Sequence, residues 1–199
     1  QAFEKGACGA LVSTIPEGID TKKLIVVQDT LQALKDLAKE ARKRTKAKII
    51  GITGSSGKTS TKEMLRSALS CVGLTHYTLG NLNNNIGVPL TLSRMPQNCD
   101  FAILEMGINH FGEMTELTDL VRPDFVLITM IGNAHCEYFK QPEETALAKA
   151  EIFTSMNKNG AVLLNADNEL FSTLEKEAKK NNIPISAWHI PVNIIIKHY

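Results

Sequence analysis

Apolar residues along this chain follow two alternating spacings. Runs rich in Ile, Val, Leu and Phe predict buried strands, and apolar residues that recur every three or four positions predict helices. From Lys46 onward the two patterns alternate. The predicted strands are 48–53, 76–78, 101–106, 125–130, 161–165 and 185–188, and the predicted helices are 58–72, 87–94, 112–120, 143–156 and 170–180. This alternation predicts an α/β fold, a mostly parallel sheet with helices on both faces.

The first 45 residues carry a separate pattern. Residues 7–13 and 24–28 predict short strands, and the apolar spacing over 30–44 predicts a helix. We interpret residues 1–45 as part of one α/β domain and residues 46–199 as a second domain. The chain begins with Gln and ends in a strand-like run, so we expect both ends to be cuts in a longer protein.

Composition narrows the class of protein. A formal net charge of +1 provides no bulk field for nucleic acid or an anionic membrane. The four cysteines are not spaced as metal ligands, and no apolar run reaches the length of a membrane span. We also expect no secretory signal. We therefore expect a cytoplasmic protein with reduced thiols, with no nucleic-acid partner and no membrane insertion.

The segment Gly54-Ser55-Ser56-Gly57-Lys58-Thr59-Ser60 lies between a predicted strand and a predicted helix. That placement is typical of a phosphate-binding loop, in which small residues turn backbone N–H groups toward an anion at a helix N-terminus. Lys58 would reach the terminal phosphates, and Thr59 would offer a hydroxyl to Mg²⁺. The common pattern has Gly where this chain has Ile52, so the loop is short. The alternative is a Gly/Ser turn that happens to precede a lysine.

Further polar residues follow other predicted strands, where ligands bind in parallel sheets. Glu105 ends one strand and suits a Mg²⁺ ligand, although an ordinary solvent-facing carboxylate fits the sequence equally well. His135 follows another strand, and the ligand and structural interpretations both stay open. Lys149 lies in a predicted helix between small residues, a pattern that favours a solvent-facing lysine.

A loop rich in asparagine follows the strand at 76–78. Asparagine favours turns, but several amides together also suit a polar substrate. Asn109 and His110 follow Glu105 closely and could face the same cleft. The amide residues of the loop are Asn81, Asn83, Asn84 and Asn85.

Five segments in this order resemble the Mur ligase family, and the resemblance covers essentially the whole chain. The Ser-Ser form of the phosphate loop and the asparagine run are most similar to the branch that joins D-Ala-D-Ala to UDP-MurNAc-tripeptide. The segments are Gly54-Ser55-Ser56-Gly57-Lys58-Thr59, Gly80-Asn81-Leu82-Asn83-Asn84-Asn85-Ile86-Gly87-Val88-Pro89, Glu105-Met106-Gly107-Ile108-Asn109-His110, Ala134-His135-Cys136-Glu137 and Ala148-Lys149-Ala150-Glu151-Ile152-Phe153.

The resemblance implies three domains. Residues 1–45 would be the C-terminal part of the UDP-sugar-binding domain, and 46–199 a truncated central ATPase domain. The C-terminal domain would be absent, so we expect this chain to be inactive alone. The implied activity is ATP-dependent amide ligation through an acyl phosphate, in peptidoglycan precursor synthesis. The implied substrates are ATP, UDP-MurNAc-tripeptide and D-Ala-D-Ala, and we expect a monomer.

The resemblance also implies roles for the candidate residues. Lys58 and the loop amides would hold the phosphates, and Thr59 with Glu105 would bind one Mg²⁺. His135 would bind a second Mg²⁺, supported by Lys149 carbamylated by CO₂. The residues expected on the muramoyl-peptide side are Asn81, Asn83, Asn84, Asn85, Asn109 and His110.

Three alternatives remain. Another amide ligase of the superfamily, of the folylpolyglutamate or cyanophycin type, shares the phosphate loop but lacks this asparagine run. A non-catalytic ATP-binding module would do no chemistry. A P-loop kinase or GTPase is disfavoured by the short loop and by the absence of an Asn-Lys-x-Asp run.

Overall fold

A computed structural model describes residues 2–132, 139 and 141–189. Its strands are β1 (Ala10–Val12), β2 (Leu24–Val26), β3 (Lys48–Thr53), β4 (Thr75–Tyr77), β5 (Phe101–Glu105), β6 (Phe125–Ile128), β7 (Ala161–Asn165) and β8 (Ile185–Trp188). Its α-helices are α1 (Thr30–Arg44), α2 (Lys58–Leu69), α3 (Gly87–Ser93), α4 (Glu113–Val121), α5 (Pro142–Ala150) and α6 (Phe171–Lys180).

The central sheet has the strand order β4-β5-β3-β6-β7-β8, and every neighbouring pair is parallel. β1 and β2 form a separate parallel pair. The predicted fold class, a parallel sheet with covering helices, is confirmed. Because β3 lies between β5 and β6, the loops that follow these three strands meet at one edge of the sheet, where the chain order reverses.

Other residues cover β3 on both faces of the sheet. On one face, a Cβ added to Gly51 would lie 2.8 Å from Met106 Cε and 3.5 Å from Ile152, so any larger residue would require the Met106 side chain to move. On the other face, Ile50 lies beside Leu65 of α2. This two-sided burial explains why the strand is apolar almost without interruption.

Several predicted elements have other bounds in the structure. The strands predicted over 7–13 and 24–28 are shorter, as β1 and β2. The helix predicted over 143–156 breaks after Ala150 into the 3-10 turn Glu151–Phe153. The strand predicted over 125–130 ends at Ile128, because the chain then bends toward the loop after β3 and Met130 accepts a hydrogen bond from Ser55 N at 2.7 Å. The helix predicted over 58–72 ends at Leu69.

Helix α1 packs against α3 and α4. Ala38 is fully buried in the core that includes Leu92 of α3. Arg42 donates from Nε to Val121 O at 2.8 Å and from Nη2 to Arg122 O at 2.9 Å. These carbonyls at the end of α4 would otherwise lack partners within the helix. The division of the chain near residue 45 stays a prediction.

Within the described ranges, no helix combines the length and apolar character needed to cross a membrane.

Candidate functional site

The loop between β3 and α2 is held in one conformation by its neighbours. Gly54 has φ 148° and Gly57 has φ 81°, values that favour glycine. A Cβ on Gly54 would lie 2.0 Å from Thr129 Oγ1, so this position excludes any side chain. Thr129 Oγ1 also donates to Ser56 O at 2.5 Å. The segment after β6 thus supports the loop whose backbone leads into the N-terminus of α2.

Lys58 begins α2 and curls over this loop. Its Nζ donates to Gly54 O at 2.7 Å. Burial lowers the pKa of Lys58 from its ordinary value, and the negative charge of Glu105 opposes that shift. Lys58 lines both a cleft of about 300 Å³ at the loop and a larger cleft of about 510 Å³. Lys58 therefore lies where the two clefts meet.

Glu105 ends β5 with its side chain almost fully buried. Thr59 Oγ1 donates to Oε2 at 3.1 Å, and Asn83 Nδ2 donates to Oε1 at 2.9 Å. The Glu105 backbone N–H donates to Thr78 Oγ1 at 2.9 Å, which fixes the end of the strand. The structure therefore brings together Thr59 and Glu105, the pair expected to bind the first Mg²⁺. A hydroxyl and a carboxylate beside a phosphate-type loop are the oxygen donors that this ion prefers, so the residues fit.

The four asparagines of the loop after β4 have different surroundings. Asn83 contacts Glu105, and Asn84 Oδ1 accepts from Gly87 N at 2.9 Å at the start of α3. Asn81 lines the smaller cleft, together with residues 55–60 and Glu105, and Asn85 lines the larger one. Two of the four amides therefore hold the protein's own structure.

The larger cleft lies between this loop, α1 and α4. Asn109 lines it, and Lys35 of α1 lies at its edge, 3.1 Å from Glu116 of α4. Backbone N–H groups of Asn109 and His110 donate to Glu113 Oε2 at 2.7 and 3.1 Å. His110 is exposed on the same loop.

Lys149 is only 1% exposed, so the solvent-facing lysine favoured by the sequence pattern is wrong. Burial, and then the positive charge of Lys58, lower its pKa from 10.5 to about 8. His135, the remaining candidate ligand, lies outside the described residues.

Two polar contacts near the site were not predicted from the sequence. Lys62 of α2 is fully buried beside Glu105. The carboxylate of Glu151 accepts from Gly112 N at 2.9 Å and from Thr115 N at 3.3 Å, at the start of α4. Lys62 follows Thr59 by three positions, a spacing that puts both on one helix face and was the available signal.

Residues 52–190 match the Mur ligase middle domain. The chain belongs to the Mur ligase family. It is 45% identical over 163 residues to the UDP-N-acetylmuramoyl-tripeptide–D-alanyl-D-alanine ligase of Escherichia coli K12, an alignment covering 82% of this chain and 36% of that relative. This Mur ligase chain therefore spans a little over one third of that relative's length.

Solved structures give the same picture. A crystal structure of MurF from Acinetobacter baumannii is 35% identical, with a TM-score of 0.80 over 89% of this chain and 38% of that one. MurF from Thermotoga maritima, solved in complex with ADP, is 27% identical, with a TM-score of 0.78 over 94% of this chain and 43% of that one.

Proposed function

We propose that this chain is part of an ATP-dependent carboxylate–amine ligase that adds D-Ala-D-Ala to UDP-MurNAc-tripeptide in the bacterial cytoplasm. One observation carries the proposal: Lys58 lies where the phosphate-loop cleft meets a second, larger cleft, beside the Thr59–Glu105 pair. A ligase needs such a junction because the carboxylate must meet the terminal phosphate of ATP. The name of the Escherichia coli relative supplies the substrates.

The proposed reaction has two steps. A substrate carboxylate oxygen attacks the γ-phosphorus of ATP, ADP leaves, and an acyl phosphate forms. The amine of D-Ala-D-Ala then attacks the acyl carbon, loses a proton and expels phosphate as the amide bond forms. The protein mainly positions the groups and neutralises charge. Lys58 and the N–H groups at the start of α2 would hold the phosphates, aided by Gly54, Ser55, Ser56, Gly57 and Ser60.

Thr59 and Glu105 would hold one Mg²⁺, which would neutralise phosphate charge. For a second ion we propose His135 and a carbamylated Lys149. Burial supports the modification, because the lowered pKa leaves more neutral amine at neutral pH than an exposed lysine has. The neutral nitrogen attacks CO₂ and loses a proton. The resulting anion would attract both Lys58 and a metal cation, whereas the unmodified Lys149 ammonium group would repel both.

The remaining assignments complete the proposal. Six residues would lie toward the muramoyl-peptide, and two of them, Asn83 and Asn84, would act through the loop structure that they hold. The six are Asn81, Asn83, Asn84, Asn85, Asn109 and His110. Residues 1–45 would belong to the UDP-sugar-binding domain and residues 46–199 to the ATPase domain of a monomer.

The test is phosphate release by the whole protein with ATP, Mg²⁺ and UDP-MurNAc-tripeptide, with and without D-Ala-D-Ala. We expect release to require the dipeptide. Lys58→Ala should lower it by about 100-fold or more, as expected for loss of a charge-stabilising donor. The exposed Lys176→Ala is the matched control. Phosphate release that does not depend on D-Ala-D-Ala would favour another amide ligase. Nucleotide binding without phosphate release would favour a non-catalytic binding module.

A further inference from the structure

Lys62 is a fully buried lysine that the proposed reaction does not use. Lysine is almost never fully buried unless its charge is paired. Its Nζ donates to Gly80 O at 3.0 Å and lies 3.6 Å from Glu105 Oε2 and 3.5 Å from Glu63 Oε1. These contacts join α2, which begins at the phosphate-type loop, to the loop that begins at Gly80.

On the nucleotide side, Lys62 belongs to the second turn of α2. Thr59 and Lys62 both face Glu105, at 3.1 and 3.6 Å from Oε2. Any shift of the first turn of α2 therefore changes the position of the Lys62 ammonium group relative to Glu105.

On the other side, Gly80 begins the loop of residues 80–86, here called the Asn loop. Gly80 has φ 55°, a left-handed turn, and its carbonyl accepts the bond from Lys62. The Asn loop returns to the same carboxylate through Asn83, which donates to Glu105 Oε1 at 2.9 Å. The loop is thus tied to Glu105 directly through Asn83 and tied to α2 through Lys62.

We propose that Lys62 is a positioning residue that couples α2 to the Asn loop, so that a nucleotide on the phosphate loop orders the loop facing the larger cleft. Lys62 itself contacts no reacting group. The identity of the substrate that benefits rests on the proposed function. The two elements are joined by two sets of contacts, one from Lys62 to Gly80 and one from Thr59 through Glu105 to Asn83, and the proposal concerns the first.

The test is hydrogen exchange of the whole protein, with and without MgADP. In the wild type we expect MgADP to slow amide exchange at residues 54–60 and in the Asn loop. In Lys62→Met, which keeps the apolar length but loses the charge and the donor, MgADP should still slow residues 54–60. Most of its effect on the Asn loop should be lost, because only the contacts through Glu105 and Asn83 remain. KM for UDP-MurNAc-tripeptide should rise about tenfold, with less change in kcat.

Glu63→Gln is the control, because Glu63 lies near the same ammonium group but is 45% exposed and lines neither cleft. It should behave as the wild type. If Lys62→Met does not fold, Lys62→Gln replaces it. Its shorter neutral amide removes the charge facing Glu105, and the same loss is expected.

Three results would overturn the coupling. The first is amide exchange in the Asn loop that MgADP does not slow in the wild type. The second is MgADP slowing exchange in the Asn loop of the Lys62 variants as much as in the wild type. The third is faster exchange in those variants spread evenly over β7 and α6, which would indicate only a packing role. Failure of the ligase proposal is seen separately, as phosphate release that does not require D-Ala-D-Ala in the wild type.

Discussion

Lys149 illustrates how packing changes the chemistry of one side chain. Its neighbours Ala148 and Ala150 are buried as well, so α5 packs closely around this position. In the sequence, small residues on both sides of Lys149 favour a solvent-exposed helix, whereas in the structure they allow close approach of other elements. Whether small residues indicate a buried or an exposed helix depends on what the helix packs against. Local residue spacing carries no information about that partner.

The lowered pKa of Lys149 predicts a pH-dependent stability. The folded pKa is about 8 and the ordinary value is 10.5, so the unfolded chain binds more protons between these values. Stability therefore rises with pH across that window, and the destabilisation by a buried ammonium group is complete below it. Across this pH window, the free energy of unfolding of the wild type should rise by on the order of 2–3 kcal/mol relative to that of Lys149→Met. Urea unfolding in CO₂-free buffer measures this, and a difference independent of pH would contradict it.

The proposed carbamate gives a second prediction at this residue. Wild-type protein in ¹³C-bicarbonate near pH 8 should show a carbamate carbon signal by NMR, because about half of the Lys149 amine is then neutral. Lys149→Met should lack the signal, and Lys176→Met should keep it. A signal that persists in Lys149→Met would place the carbamate elsewhere.

At the scale of elements, the strands could be predicted well and the ends of helices less well. β3, β7 and β8 match their predicted bounds. For β3 and β7 the reason is burial on both faces, which makes each an apolar run. Glu105 could be predicted at the site because it directly follows such a run. The break after Ala150 could not, because Glu151 turns toward Gly112, a partner 39 residues away.

Glu151 should stabilise the first turn of α4. Its carboxylate accepts from Gly112 N and Thr115 N, where a helix has unpaired donors and favours negative charge. We expect Glu151→Ala to lower the free energy of unfolding by about 1–2 kcal/mol.

The matched control is Glu175→Ala, since Glu175 pairs only with Lys179 along the surface of α6 in the described contacts. Such a pair contributes about 0.5 kcal/mol or less. Equal losses in urea unfolding of the two variants would show that Glu151 is no more than a surface carboxylate.

At the scale of the whole molecule, the structure raises the question of where the sheet's folding unit begins. The sequence pattern changes near residue 45 and predicts a domain boundary there. Yet α1 buries Ala38 in the main core, and Arg42 binds the last carbonyls of α4. Contacts between residues about 80 positions apart leave no trace in local periodicity, so the pattern could not reveal them.

Trp188, the only tryptophan of the chain, tests whether α1 unfolds with the sheet. It lies on β8, at the edge of the central sheet opposite to β4. Arg42→Met keeps an apolar stem but loses both bonds to α4. If α1 and the sheet form one cooperative unit, this change should shift the Trp188 fluorescence transition in urea by about 1–3 kcal/mol. Lys43→Met, which removes only a surface pair with Glu40, should shift it by about 0.5 kcal/mol or less. A Trp188 transition that Arg42→Met leaves unchanged would mean that α1 unfolds separately, as expected for a boundary near residue 45.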